Sequence, residues 1–212
     1  MKQTDRIQRV RVAIDYTLRT PEMQKELNRV GFTKADVQRG KALLAKVQLL
    51  DAAQQKEYGD RYQATDALAQ ARQQAREQYM QHLEVARLAL KNQRGIWKTL
   101  EMNGPRKTNL FGWLAQARTF YHNAGQVASA LAQYNITEAE LEQAASMVEA
   151  VMEAYHARQQ EDREAQQATR QRNDAMDELK AWMRRFTLSA QLAFTDDPAT
   201  LKGLGLVSRV GV

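Results

Sequence analysis

Chemistry in this chain would have to come from three histidines, a scatter of carboxylates and a surplus of arginine and lysine. Cysteine is absent, which removes thiolate metal sites, thiol nucleophiles and disulfides together. His82, His122 and His156 lie too far apart in sequence for two of them to share one helix face, as a two-histidine metal site requires. Glu153-Ala-Tyr-His156 has the Glu-x-x-His spacing that carboxylate-bridged di-iron bundles use, but such a bundle needs a second copy of the motif and two further glutamates. The positions 104 residues earlier hold Leu49 and Ala52, which bind no metal. Nucleophile elbows, phosphate-cradling glycine loops and paired-histidine protease motifs are missing too. The expectation is therefore a non-enzymatic protein with no metal and no cofactor.

The basic residues are the second place to look. Residues 1–104 carry 19 basic against 12 acidic side chains and residues 105–212 carry 12 against 13, so the net charge of +6 comes from the first half. Arg72 and Arg76 share a helix face at four-residue spacing, and Arg87, Lys91 and Arg94 form a second group. Clusters of this kind, with an aromatic such as Tyr79 nearby, can track a nucleic-acid backbone without reading sequence. Glu77 and Glu84 interleave with them, which favours an ordinary solvated face. Nucleic-acid binding through the basic first half stands as the alternative reading.

The elements that carry these residues are helices. Ala, Gln, Glu, Arg, Lys, Leu and Met dominate nearly every window, and there are only three prolines. The opening MKQTDRIQRVRVAIDYTL has no apolar run suited to a signal peptide, and no stretch approaches the roughly 18 apolar residues of a membrane span. A cytoplasmic protein without a membrane segment is expected.

Two short stretches, GFTKADV at 31–37 and NITEAEL at 135–141, encode one device. Thr33 and Thr137 are N-cap residues, Asp36 and Glu140 complete capping boxes, and Phe32/Val37 and Ile136/Leu141 close hydrophobic staples. The offset of 104 extends without a gap when 5–108 is laid over 109–212. Val10 meets Leu114, Ala13 meets Ala117, Leu27 meets Leu131, and the breaker Pro21 meets Gly125. NGPRKTN at 103–109 reads as the joint between two repeats.

Each repeat opens with an amphipathic helix and a short second one, with Thr20 capping and Pro21 at its first position in the first copy. A long helix follows, about 34–92 and 138–195, with a seven-residue apolar beat; continuity is favoured over a bend at Gly59 or Arg163. The beat is apolar at both ends and polar through DAAQQKEYGDRYQ and YHARQQEDREAQQ. Seam residues such as Leu68, Tyr79, Met176, Leu179 and Met183 require cover from the other repeat, the terminal segments or another chain. GIWKTLEM and PATLKGLGL read as lids.

The sequence thus predicts an all-α, internally duplicated helical bundle. Two long coiled-coil-like helices, each preceded by shorter ones, are related by a pseudo-two-fold. The repeats span 5–104 and 109–208 and pack as one structural unit. The expected function is that of an interaction or scaffold protein, binding protein partners or a second copy of itself through the long helices.

Overall fold

The structure, a computed structural model, describes residues 3–204 and 206. Its elements are α1 (Gln3–Arg19), α2 (Pro21–Arg29), α3 (Lys34–Ala89), α4 (Arg94–Thr99), α5 (Leu110–Ala124), a 3₁₀ turn (Gly125–Val127), α6 (Ala128–Ala132), α7 (Glu138–Ala193) and α8 (Pro198–Gly203). Among the described residues there is no strand. No helix is long and apolar enough to cross a membrane.

Both long helices run 56 residues without interruption, through Gly59 and through Arg163. Their starts are built as expected. The Thr33 N–H donates to Asp36 Oδ2 at 2.8 Å while the Asp36 N–H donates to Thr33 Oγ1 at 3.3 Å. Thr137 and Glu140 exchange the same two bonds at 2.7 and 3.3 Å. The shorter aspartate therefore closes its box as fully as the glutamate does. Phe32, Val37, Ile136 and Leu141 are all buried, which completes both staples. The turn before each cap needs a left-handed residue, supplied by Gly31 (φ 78°) and Asn135 (φ 62°).

Thr20 sits at the N-cap of α2, but its side chain makes no capping bond, and Pro21 alone shapes that start. Gly125, the weaker breaker, tightens the chain into the 3₁₀ turn between α5 and α6 rather than stopping it outright.

The chain divides into two compact units, one made of residues 1–58 and 164–212, the other of residues 59–163. Neither unit follows the intervals 5–104 and 109–208. Each joins the beginning of one interval to the end of the other.

In the first unit, Val10, Ala13 and Ile14 of α1, Met23 and Leu27 of α2, and Val37, Leu44 and Val47 of α3 share a core with the C-terminal part of α7. Trp182 and Phe186 stack at 5.4 Å, and Phe32 meets both edge-on. Gly40 lies under the Trp182 indole so closely that a Cβ there would collide with the ring. Leu201, Leu204 and Leu206 close the end of this core.

In the second unit, Trp113, Phe120 and Tyr121 of α5 surround Tyr79 of α3 edge-to-face, with centroids 5.5 to 6.4 Å apart. Leu100 and Met102 close that core. Both expected lids thus lie over a core, each through its buried apolar residues alone.

The two long helices pack together and run antiparallel. In the first unit, Lys46 pairs with Glu178, Asp51 with Arg172, and Gln54 Nε2 donates to Thr169 Oγ1. In the second, Arg61 Nε donates to Asp162 at 2.6 Å, and Arg158 reaches the same carboxylate at 3.1 Å. The polar middle of each helix is thus matched by polar groups of this same chain and calls for no second one. Tyr79, Met176 and Leu179, which required cover, are buried in the two cores, and Leu68 and Met183 are packed against them.

Candidate functional site

The five basic residues singled out from the sequence all lie in the second unit, and two of them are engaged by backbone carbonyls. Arg72 donates to the Thr108 carbonyl at 2.6 Å, and Arg87 donates to the Met102 carbonyl at 2.8 Å. Arg106 completes the set, donating to the Glu101, Asn103 and Gly104 carbonyls and to the Tyr79 hydroxyl. Three guanidiniums thus pin the 101–108 connection by its carbonyls, a geometry suited to their planar forks. Arg76, Lys91 and Arg94 remain exposed. Nothing in the sequence distinguishes an arginine that will bind backbone carbonyls from one that faces solvent, because the carbonyls come from a distant loop.

The histidines also separate. His122, His156 and Glu153 are exposed. His82 is 3% exposed, in the core of the second unit. The Gln78 amide nitrogen lies 2.7 Å from its Nε2 and donates to it, which leaves the ring proton on Nδ1, 3.3 Å from the Tyr121 hydroxyl oxygen. Burial lowers the His82 pKa, against a smaller opposing pull from Glu140. Burial likewise raises the pKa of the Tyr121 hydroxyl, so that it stays protonated. The pair is a satisfied core contact and makes no metal site.

What the long helices leave outside is more informative. Leu188 and Leu192 of α7, one turn apart, are 68% and 67% exposed and together form an apolar spot on one helix face. Ala181 and Arg185 continue the same stripe toward the N-terminus, at spacings of four, three and four. Arg185 lies over the Phe32 ring at 5.5 Å and 3.1 Å from Asp36, so its guanidinium is held in place. A shallow groove of about 270 Å³ between α3 and α7, lined by Arg39, Leu43 and Trp182, adjoins the stripe at Ala181 and Arg185.

The signal for this stripe was present in the sequence. The core-facing beat of α7 runs through Met176, Met183 and Ala190. Leu188 and Leu192 fall five and two residues past beat positions, on the side of the helix turned away from the seam. Leucine there stays largely exposed.

Comparison of the chain with protein-family models, with curated proteins and with solved structures gives no match.

Proposed function

We propose that this is a non-enzymatic interaction protein that offers the outward stripe of α7 to a helix of a protein partner. The reading is carried by Leu188 and Leu192, two large apolar side chains exposed side by side on a rigid helix. Burying one leucine is worth about 1.5–3 kcal/mol, so a partner that covers both gains substantially. Two apolar anchors one turn apart are also what a helix laid along another helix engages.

We infer in addition that the chain arose by tandem duplication with an offset of 104. The ends of α3 and α7, and of α4 and α8, coincide at that offset. So do Gly31 and Asn135 with their positive φ, and the buried pairs Val37/Leu141, Val47/Val151, Ala86/Ala190 and Leu100/Leu204. The duplicated cores accompany surfaces that differ, and the leucine pair stands in one copy only. At the positions equivalent to Leu188 and Leu192, α3 has Glu84 and Leu88.

The test is site-specific photo-crosslinking in living cells, with a photoreactive side chain in place of Leu192 and a control at the exposed Gln166. A discrete protein adduct at position 192, lost when Leu188→Glu is added, is expected. Equal labelling at both positions, or none at 192, rejects the reading.

A further inference from the structure

The connection between α4 and α5 carries a reactive pair of residues. Asn103 is the only asparagine of the chain that a glycine follows. Both residues are exposed, and Gly104 takes a left-handed φ of 69°. The Asn103 side-chain amide makes no hydrogen bond among the described residues. Nothing lies within 4 Å of the place where a Cβ on Gly104 would stand, so that side of the peptide is open.

Arg106 sets this peptide group apart. Its Nη2 donates to the Asn103 carbonyl at 2.7 Å and to the Gly104 carbonyl at 3.1 Å. Its Nη1 is anchored on the Tyr79 hydroxyl and the Glu101 carbonyl, both at 2.8 Å. Arg106 forms no ion pair among the described residues, so no carboxylate offsets the charge it brings to the Asn103 carbonyl. A peptide nitrogen becomes a nucleophile on losing its proton, and the negative charge then rests largely on the carbonyl oxygen of the same group. A fixed guanidinium on that oxygen stabilises the anion, as an oxyanion hole does.

We propose that Asn103 is a self-modifying site, converted to isoaspartate and aspartate in the folded chain by attack of the Gly104 nitrogen, with Arg106 assisting. The Gly104 N–H gives its proton to solvent base, and the nitrogen bonds to Asn103 Cγ. The Cγ–Nδ2 bond breaks, the leaving nitrogen takes up a proton and departs as ammonia, and a cyclic imide remains. Water then opens the ring. Opening at Cγ gives aspartate. Opening at the main-chain carbonyl carbon gives isoaspartate, whose backbone runs through the side-chain carbon. Nothing is oxidised or reduced, and water is the sole co-reactant. In the isoaspartyl product the oxygen held by Arg106 belongs to a carboxylate, so the guanidinium that assists the attack also pairs with the product. The conversion adds a negative charge to the connection that closes the second core through Leu100 and Met102.

Peptide mass mapping of the folded full chain, held in mildly alkaline buffer and sampled over time, tests this against a free peptide spanning 99–109. Position 103 is expected to convert about tenfold faster or more in the folded chain than in the peptide, where Arg106 is not held on the carbonyl. Asn92, exposed in the turn before α4 and followed by Gln93, is expected to remain an amide over the same period. Arg106→Gln is expected to remove the advantage of the folded chain, and Arg106→Lys, which keeps the charge without the fork, to restore part of it.

An Asn103 that stays an amide in the folded chain while the peptide converts overturns the proposal. So do equal rates in wild type and Arg106→Gln, because the reaction then needs nothing that the fold supplies. If Arg106→Gln does not fold, the comparison of the wild-type chain with the peptide decides alone, and a folded chain no faster than the peptide overturns the proposal.

Discussion

At the scale of single residues, His82 and Phe186 stand 104 positions apart, each buried in one of the two cores. Phe186 is fully buried among aromatic rings, whereas His82 puts an imidazole, 3% exposed, into the core of the second unit. Tyr121 faces it from α5 and Gln78 from its own helix, while Glu140 at the start of α7 acts on it through space. Protonation would place a new N–H against the Gln78 amide N–H and a charge in a dry core. The folded-state pKa therefore lies below the ordinary value of 6.5. The unfolded chain then binds more protons at mildly acidic pH, so stability falls as pH drops through about 6.5 toward the folded pKa, and it is level above that window. Thermal melts from pH 8 to pH 5 should show this loss. His82→Phe should flatten the slope in that window, at a cost of about 1–3 kcal/mol at neutral pH for the Tyr121 hydroxyl left unpaired. A slope that persists unchanged in the variant would assign it to another group.

At the scale of elements, the starts and stops were legible because they are local. A capping box, a staple and a left-handed residue are all encoded within seven positions, and each of these features is present at the start of both long helices. Helix continuity through Gly59 was legible for the same reason, since no proline or cap interrupts the run. Which helix each short element covers was not legible. The two long helices share one seven-residue period, so the pattern at Val37 or Leu141 fits either of them equally well. The pinning of the 101–108 connection by Arg72 and Arg87 was hidden likewise, since it depends on carbonyls brought near by folding. Gly40 marks the place where pairing is decided. A Cβ there meets the Trp182 indole, which is stacked on Phe186 and donates from Nε1 to the Asp36 carbonyl at 2.8 Å, and so cannot easily move. Gly40→Ala, ordinarily a favourable change in a helix, should instead destabilise the protein by about 1–3 kcal/mol through overpacking. Denaturant unfolding followed by tryptophan emission would measure it. A gain in stability would mean that the indole rearranges freely.

At the scale of the whole molecule, each compact unit takes residues from both halves of the chain, so cutting between Gly104 and Pro105 leaves neither half with a complete core. Fragment 1–104 keeps Phe32, Gly40 and Tyr79 but loses Trp182, Phe186 and Trp113, which pack on them; fragment 105–212 has the converse gap. If the halves descend from one repeat, each could also try to pair with itself. The residues at the decisive contact oppose that. Gly40 is matched to Trp182, whereas the equivalents of these two are Ala144 and Gln78. Two copies of the first half would set Gly40 against Gln78, leaving a void beside an amide. Two copies of the second would force Trp182 onto Ala144, whose methyl group takes the space the indole needs. Only the mixed pair fills the site without clash, and a filled core is worth several kcal/mol over one with a cavity of side-chain size, on the order of 2–5. Separately purified fragments should therefore be helical but melt without cooperativity. Mixing them should give a one-to-one complex in which Trp113 and Trp182 emission shifts to the blue and a single cooperative transition returns. A fragment 1–104 that melts cooperatively as a monomer, with the stability of the intact chain, would show that one half suffices for a core and would refute the division of each core between the two halves.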